Sequence, residues 1–161
     1  MYKHVLGFTA LAAGLAAAAV PAEAQARRGH VVMGRGSAGQ GFAQWRSVTR
    51  DPGAATVRRG LQLSDGRGYR HERSHDYGPG RYSADRSTQF NNGRGATTSR
   101  DASWGDGSFA GSRTTTLNNG DSYRRTTSAT SNGDGTANYA SSVTGPQGAT
   151  RTVSGTVPAP R

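Results

Sequence analysis

The sequence predicts an all-β protein of tandem strand-and-turn repeats, 13 or 14 residues each, laid out as a thin antiparallel meander behind an N-terminal export signal. Three observations predict it. Turn signals recur at that period, at Asp51-Pro52-Gly53, Asp65-Gly66, Gly78-Pro79-Gly80, Asn92-Gly93, Asp106-Gly107, Asn119-Gly120, Asn132-Gly133 and Gly145-Pro146. Asn-Gly and Asp-Gly supply the positive φ that tight hairpin turns require. The segments between turns alternate with period two and are rich in Thr, Val and aromatic residues, which suit strands. Gly, Ser and Thr dominate while Leu, Lys and Glu are nearly absent, with Lys3 the only lysine and Glu72 the only glutamate after Glu23, so long amphipathic helices are not expected.

Taken in order, the chain opens with Lys3 and His4, an apolar run from Val5 to Val20, Pro21, and overlapping A-x-A sites at Ala22/Ala24 and Ala24/Ala26. Residues 1–26 are therefore expected to be a signal peptide, cleaved after Ala24 or Ala26, and the mature chain to be secreted or periplasmic. No later apolar run approaches the ~20 residues of a membrane helix, so no transmembrane segment is expected in the mature chain. The chain has no Cys, which removes disulfides and thiolate metal sites from consideration. Residues 27–37 are expected to be a flexible basic lead-in and 158–161 a short tail.

Nine units fill residues 38–157: Ala38–Arg50, Asp51–Leu63, Ser64–Tyr77, Gly78–Phe90, Asn91–Trp104, Gly105–Leu117, Asn118–Ser131, Asn132–Thr144 and Gly145–Val157. Their common template is an early aromatic, a central Arg and a terminal apolar residue. From Gly105 one face reads Phe109, Gly111, Arg113, Thr115, Leu117; from Gly78 it reads Tyr82, Ala84, Arg86, Thr88, Phe90. Antiparallel pairing then brackets each turn with an apolar pair: Leu63 with Tyr69, Tyr77 with Tyr82, Phe90 beside Ala96, Trp104 with Phe109, Leu117 with Tyr123. Arg46, Arg59, Arg73, Arg86, Arg100 and Arg113 form a middle row. Such a row is unfavourable unless the side chains splay, find partners or meet an anion.

The same turns fit a β-solenoid with a coil of about 26 residues. A largely disordered polycation is a further alternative, because Leu, Val and Phe number only 13 in the 135 residues from Arg27 and the net charge there is 19 − 9 = +10.

His71-Glu72-Arg73-Ser74-His75, with Gly78, resembles the zinc site of the metzincin metalloproteases. The resemblance implies His71 and His75 as ligands and Glu72 as general base. It covers eight residues. The third ligand would fall on Arg81, a cation, and the only methionine after the export segment, Met33, lies upstream. On a strand the two histidines would stand about 13 Å apart. No metal and no cofactor are therefore expected. Gly34-Arg35-Gly36-Ser37-Ala38-Gly39 has dinucleotide-fingerprint spacing but opens no helix, and the Gly-Asp-Gly turns lack the clustered carboxylates of a calcium site.

These readings point to a non-enzymatic envelope or extracellular structural or interaction protein, with a general likeness to the Gly/Ser/Thr-rich tandem β-repeat surface proteins of bacteria. Arg46, Arg59, Arg73, Arg86, Arg100 and Arg113 are its expected contacts to polyanions: anionic polysaccharide, lipopolysaccharide or extracellular DNA. Self-association through strand edges is also expected. The alternatives are a disordered polycation that orders on a partner and, more remotely, a zinc-dependent hydrolase using His71, Glu72 and His75.

Overall fold

The computed structural model describes residues 26–37 and 39–158. Ten strands follow one another: β1 (Ala26–Arg35), β2 (Gly41–Asp51), β3 (Ala54–Leu63), β4 (Gly68–Gly78), β5 (Arg81–Phe90), β6 (Gly95–Gly105), β7 (Ser108–Leu117), β8 (Ser122–Ser131), β9 (Thr136–Thr144) and β10 (Thr150–Pro158). Each pairs antiparallel with its chain neighbours in a single open sheet ordered β1 to β10. The meander is thus the fold, and neither the solenoid nor the largely disordered chain describes it. Residues 1–25 of the expected signal segment and 159–161 of the tail lie outside the described residues.

One boundary differs from expectation. Arg27–Arg35, read as a flexible lead-in, belongs to β1 and is paired with β2 along its whole length, from Ala26↔Arg50 to Arg35↔Gly41. Val31 and Val32 supply β propensity, and the Gly36 N–H donates to the Gln40 carbonyl at 2.8 Å where the chain returns as β2. Residues 36–40 contain no Asn-Gly or Asp-Gly pair, so the reversal is harder to read from sequence. At the other end, Pro158 closes β10 opposite Thr136 rather than starting a tail.

The 13- and 14-residue units combine into a larger period. Gly41, Gly68 and Gly95 each begin a strand 27 residues apart, and two-residue turns (Pro52-Gly53, Pro79-Gly80, Asp106-Gly107) alternate with four-residue loops (64–67, 91–94, 118–121). The repeating object is a hairpin plus its linker, and hydrogen bonds tie each hairpin to the next at both ends. At the two-residue turns, the carbonyls of Gly53, Gly80 and Gly107 accept from the N–H groups of Tyr77, Trp104 and Ser131 at 2.7, 2.8 and 2.8 Å. At the opposite end, the Asn91 amide donates to Gln62 Oε1 and the Gly66 carbonyl, and Asn118 repeats this with Gln89 and Gly93. Gly80 has φ +66°, and a Cβ there would lie 2.6 Å from the Trp104 carbonyl oxygen, so glycine is required by both conformation and space.

Among the described residues no apolar side chain is buried. The sheet is one layer thick, held by its ladder, its interlocked turns and cross-strand pairs, as the low apolar content requires. Tyr77↔Tyr82 and Trp104↔Phe109 pair directly, the tyrosine rings 4.8 Å apart. At the four-residue loops the expected pairs are offset by two positions. Tyr69 faces Leu61 rather than Leu63, Ala96 faces Thr88, and Tyr123 faces Thr115, because the longer loop moves the last strand residue off the ladder.

Candidate functional site: an arginine face

Strand alternation sorts the charges onto two unlike faces. Following the register from His30↔Arg46 across the sheet, one face carries Arg28, Arg46, Arg50, Arg59, Arg73, Arg86, Arg100, Arg113, Arg125 and Arg151 and, among the described residues, no strand carboxylate. The opposite face holds every strand carboxylate, namely Asp51, Glu72, Asp76, Asp85 and Asp101, mixed with Arg27, Arg35, Arg58, Arg70, Arg81, Arg124 and many hydroxyls. There Arg58 donates to Glu72 Oε1 at 2.8 Å, and Ser99 donates to Asp85 at 2.6 Å. The Arg58 pairing holds the Glu72 carboxyl below its ordinary range.

All six sequence-predicted arginines lie on the carboxylate-free face and are exposed. None makes an ion pair or a side-chain hydrogen bond among the described residues, where the two ion pairs are Arg58–Glu72 and Arg67–Asp65. Their row is not straight. Arg46↔Arg59, Arg73↔Arg86 and Arg100↔Arg113 sit directly opposite one another, but Arg59 faces His71 and Arg86 faces Thr98. The row therefore steps by two residues, roughly 7 Å, at the 64–67 and 91–94 loops. Arg125, opposite Arg113, extends the last cluster to three. The unit template misses Arg125, because it stands two positions earlier in its strand than the 27-residue period places an Arg; alternation alone puts it on the right face.

The first step in the row is occupied by His71. It is the one buried polar side chain among the described residues, 7 % exposed, and its Nδ1 is hydrogen-bonded to Thr88 Oγ1 at 2.8 Å. Burial, then the guanidinium charges of Arg59, Arg86 and Arg73, push its pKa down, so the ring is held neutral. Nε2 has no partner among the described residues. Around it the face forms a concavity of about 460 Å³ lined by Arg59, Arg73, Arg86, Arg100 and Arg113, with Tyr82 at one side. Asp85 borders it, but its carboxylate is turned to the other face.

The H-E-x-x-H segment lies within β4. His71 and His75 share the arginine face while Glu72 points to the opposite one, bound by Arg58, so the three do not converge as the metzincin resemblance requires. Aromatic residues flank the arginines on their own face, with Tyr69 and Phe90 toward the four-residue loops and Tyr77, Tyr82, Trp104 and Phe109 toward the two-residue turns. Tyr77, Phe90, Trp104 and Phe109 are each at least 40 % exposed. The face thus offers bidentate donors between two aromatic rails.

No protein-family model, curated protein or solved structure matches the chain.

Proposed function

We propose that the protein is an exported, non-enzymatic envelope or extracellular interaction protein that binds anionic polymers through its arginine face. The carrying observation is charge segregation: ten arginines on one face with no strand carboxylate among them, set against a mixed-sign face behind. Guanidinium groups engage carboxylate and phosphate bidentately, and exposed aromatic rings beside them suit the apolar faces of sugars. An anionic glycan, lipopolysaccharide or extracellular DNA would each meet this face once the chain is exported.

The test is retention on immobilised heparin and DNA across a salt gradient. Replacing Arg46, Arg59, Arg73, Arg86, Arg100 and Arg113 by Gln is expected to abolish retention at 150 mM salt and flatten the dependence of log K on log salt. Replacing Arg70, Arg81 and Arg124 on the opposite face is expected to change it little. Equal losses from both sets would leave only nonspecific net charge and defeat the proposal.

Among the described residues the outer edges of β1 and β10 pair with no further strand, which supports self-association as a second property. The described strands number ten, an even count, so β1 of a second copy placed beside β10 continues the antiparallel order.

A further inference from the structure

We infer that the concavity over His71 is a discrete subsite for a phosphomonoester-bearing sugar unit of the anionic polymer, its phosphate gripped by Arg59, Arg73 and Arg86 above the imidazole. The inference deepens the polyanion reading and rests on it. Elsewhere along the face, exposed arginines present a band that many anions could approach from any side. Here the register sets the band apart. Arg59 lies directly opposite His71 on β3, Arg73 is two residues along β4, and Arg86 comes from β5 opposite Arg73. Three strands therefore direct cations around one recessed ring, with no strand carboxylate on that face to neutralise them.

The volume, about 460 Å³, falls in the range of small-ligand sites and exceeds what a bare phosphate needs. Tyr82 on its wall offers a surface for the attached sugar ring. A tetrahedral dianion matches three converging guanidinium groups better than a phosphodiester, which carries one charge and two bulky substituents.

His71 suits the floor of such a site because Thr88 serves either state of the ring. The Thr88 hydroxyl can donate to a bare Nδ1 or accept from a protonated one, so the 2.8 Å bond survives both. In the free protein the charged groups facing the ring are Arg59 from β3, Arg86 from β5 and Arg73 from its own strand, all cationic. A dianion seated among them reverses the local field. The ring then takes up a proton and donates from Nε2 to the bound oxygen, and the affinity rises as the pH falls.

Sulfate tests this cleanly, because it remains a dianion throughout pH 5–8 and any pH dependence belongs to the protein. Histidine NMR titrations of the full mature chain would follow His71 with His30 and His75 as internal references. Saturable shifts at His71, a sulfate-induced rise in its pKa, and binding that tightens severalfold from pH 7.5 to 5.5 are expected. Arg86→Gln should weaken sulfate about tenfold. His71→Gln should remove the pH dependence while heparin retention persists. Glucose 1-phosphate should compete with sulfate, and dimethyl phosphate should not. Equal shifts at all three histidines, or equal competition by the diester, would overturn the subsite while leaving the polyanion reading intact. Loss of heparin and DNA binding by the unmodified protein would instead remove the reading beneath it.

Discussion

Arg113 offers the sharpest measure of what the arginine face costs the fold. It stands directly opposite Arg100 on β6 and Arg125 on β8, is exposed, and has no ion-pair partner among the described residues. If the guanidinium groups splay to roughly 8 Å, each repulsion in water at low salt is about 0.5 kcal/mol. Two neighbours give about 1 kcal/mol, in line with the penalty for like charges facing across strands. Arg113→Gln is therefore expected to stabilise the sheet by about 1 kcal/mol in 10 mM salt, where the Debye length is about 30 Å, and to lose that gain at 1 M, where it is about 3 Å. Urea is the denaturant to use, since guanidinium chloride would itself screen the charges. With an m-value of about 1–2 kcal/mol/M the midpoint should rise by roughly 0.5–1 M. Arg113→Lys, which retains the charge, should show no such gain. A Gln variant that gains nothing at low salt, or gains equally at both salts, would refute the claim that these arginines repel one another in the free protein.

Three further outcomes follow from the geometry. Gly80→Ala should cost more than Gly93→Ala in a urea titration: both residues have positive φ, costing about 1–2 kcal/mol for a Cβ, but only at Gly80 does the Cβ meet the Trp104 carbonyl and disturb the Trp104 N–H bond, worth about 1 kcal/mol more. Acidification should lower stability in two steps, because the folded-state pKa values of His71 and Glu72 are both depressed. A depressed group contributes fully above its unfolded value and loses that contribution as the pH falls through the folded one, so His71 acts below about pH 6.5 and Glu72 below about 4.5. In urea midpoints measured from pH 7.5 to 5.5, His71→Gln should flatten the first step. Self-association, followed by analytical ultracentrifugation, should strengthen with salt, since Arg27, Arg28 and Arg35 on β1 and Arg151 on β10 repel across the joined edges; Val153→Lys on β10 should weaken it.

β2 to β10 were legible because turn chemistry punctuates them and alternation fills the gaps, whereas β1, followed by no Asn-Gly or Asp-Gly turn, read as a flexible lead-in. The same reasoning recovered the face shared by the six arginines, since parity alone fixes it once the strands are placed. Register was harder to read. The two-residue turns force Tyr77 onto Tyr82 and Trp104 onto Phe109, whereas the four-residue loops shift Tyr69 and Tyr123 by two positions, and nothing in a local segment declares that shift. It is also what breaks the arginine row and opens the step that His71 occupies. His71 looked like half of a metal motif, and its burial could be known only after β3 and β5 were laid beside it. Trp45 likewise sits on the mixed-sign face over Gly60, where a Cβ would come within 2.6 Å of its indole. The single Gly inside β3 is the only local trace of that contact.

Solubility alone does not account for the way the charges are divided. A single-layer sheet without a buried apolar core needs charged side chains to stay dispersed, and the mixed-sign face meets that need with both signs, pairing Arg58 with Glu72 and setting Asp85 beside Ser99. Interspersed charge solubilises without the cost of facing like charges. The other face retains that cost at Arg46↔Arg59, Arg73↔Arg86 and Arg100↔Arg113↔Arg125, although a carboxylate at any alternate position would relieve it. On the proposed reading, an anionic ligand would supply the missing sign from outside. This predicts a coupling that solubility does not: heparin at saturating concentration should raise the urea midpoint of the unmodified protein more than that of Arg113→Gln, because the ligand offsets a repulsion the variant has already lost.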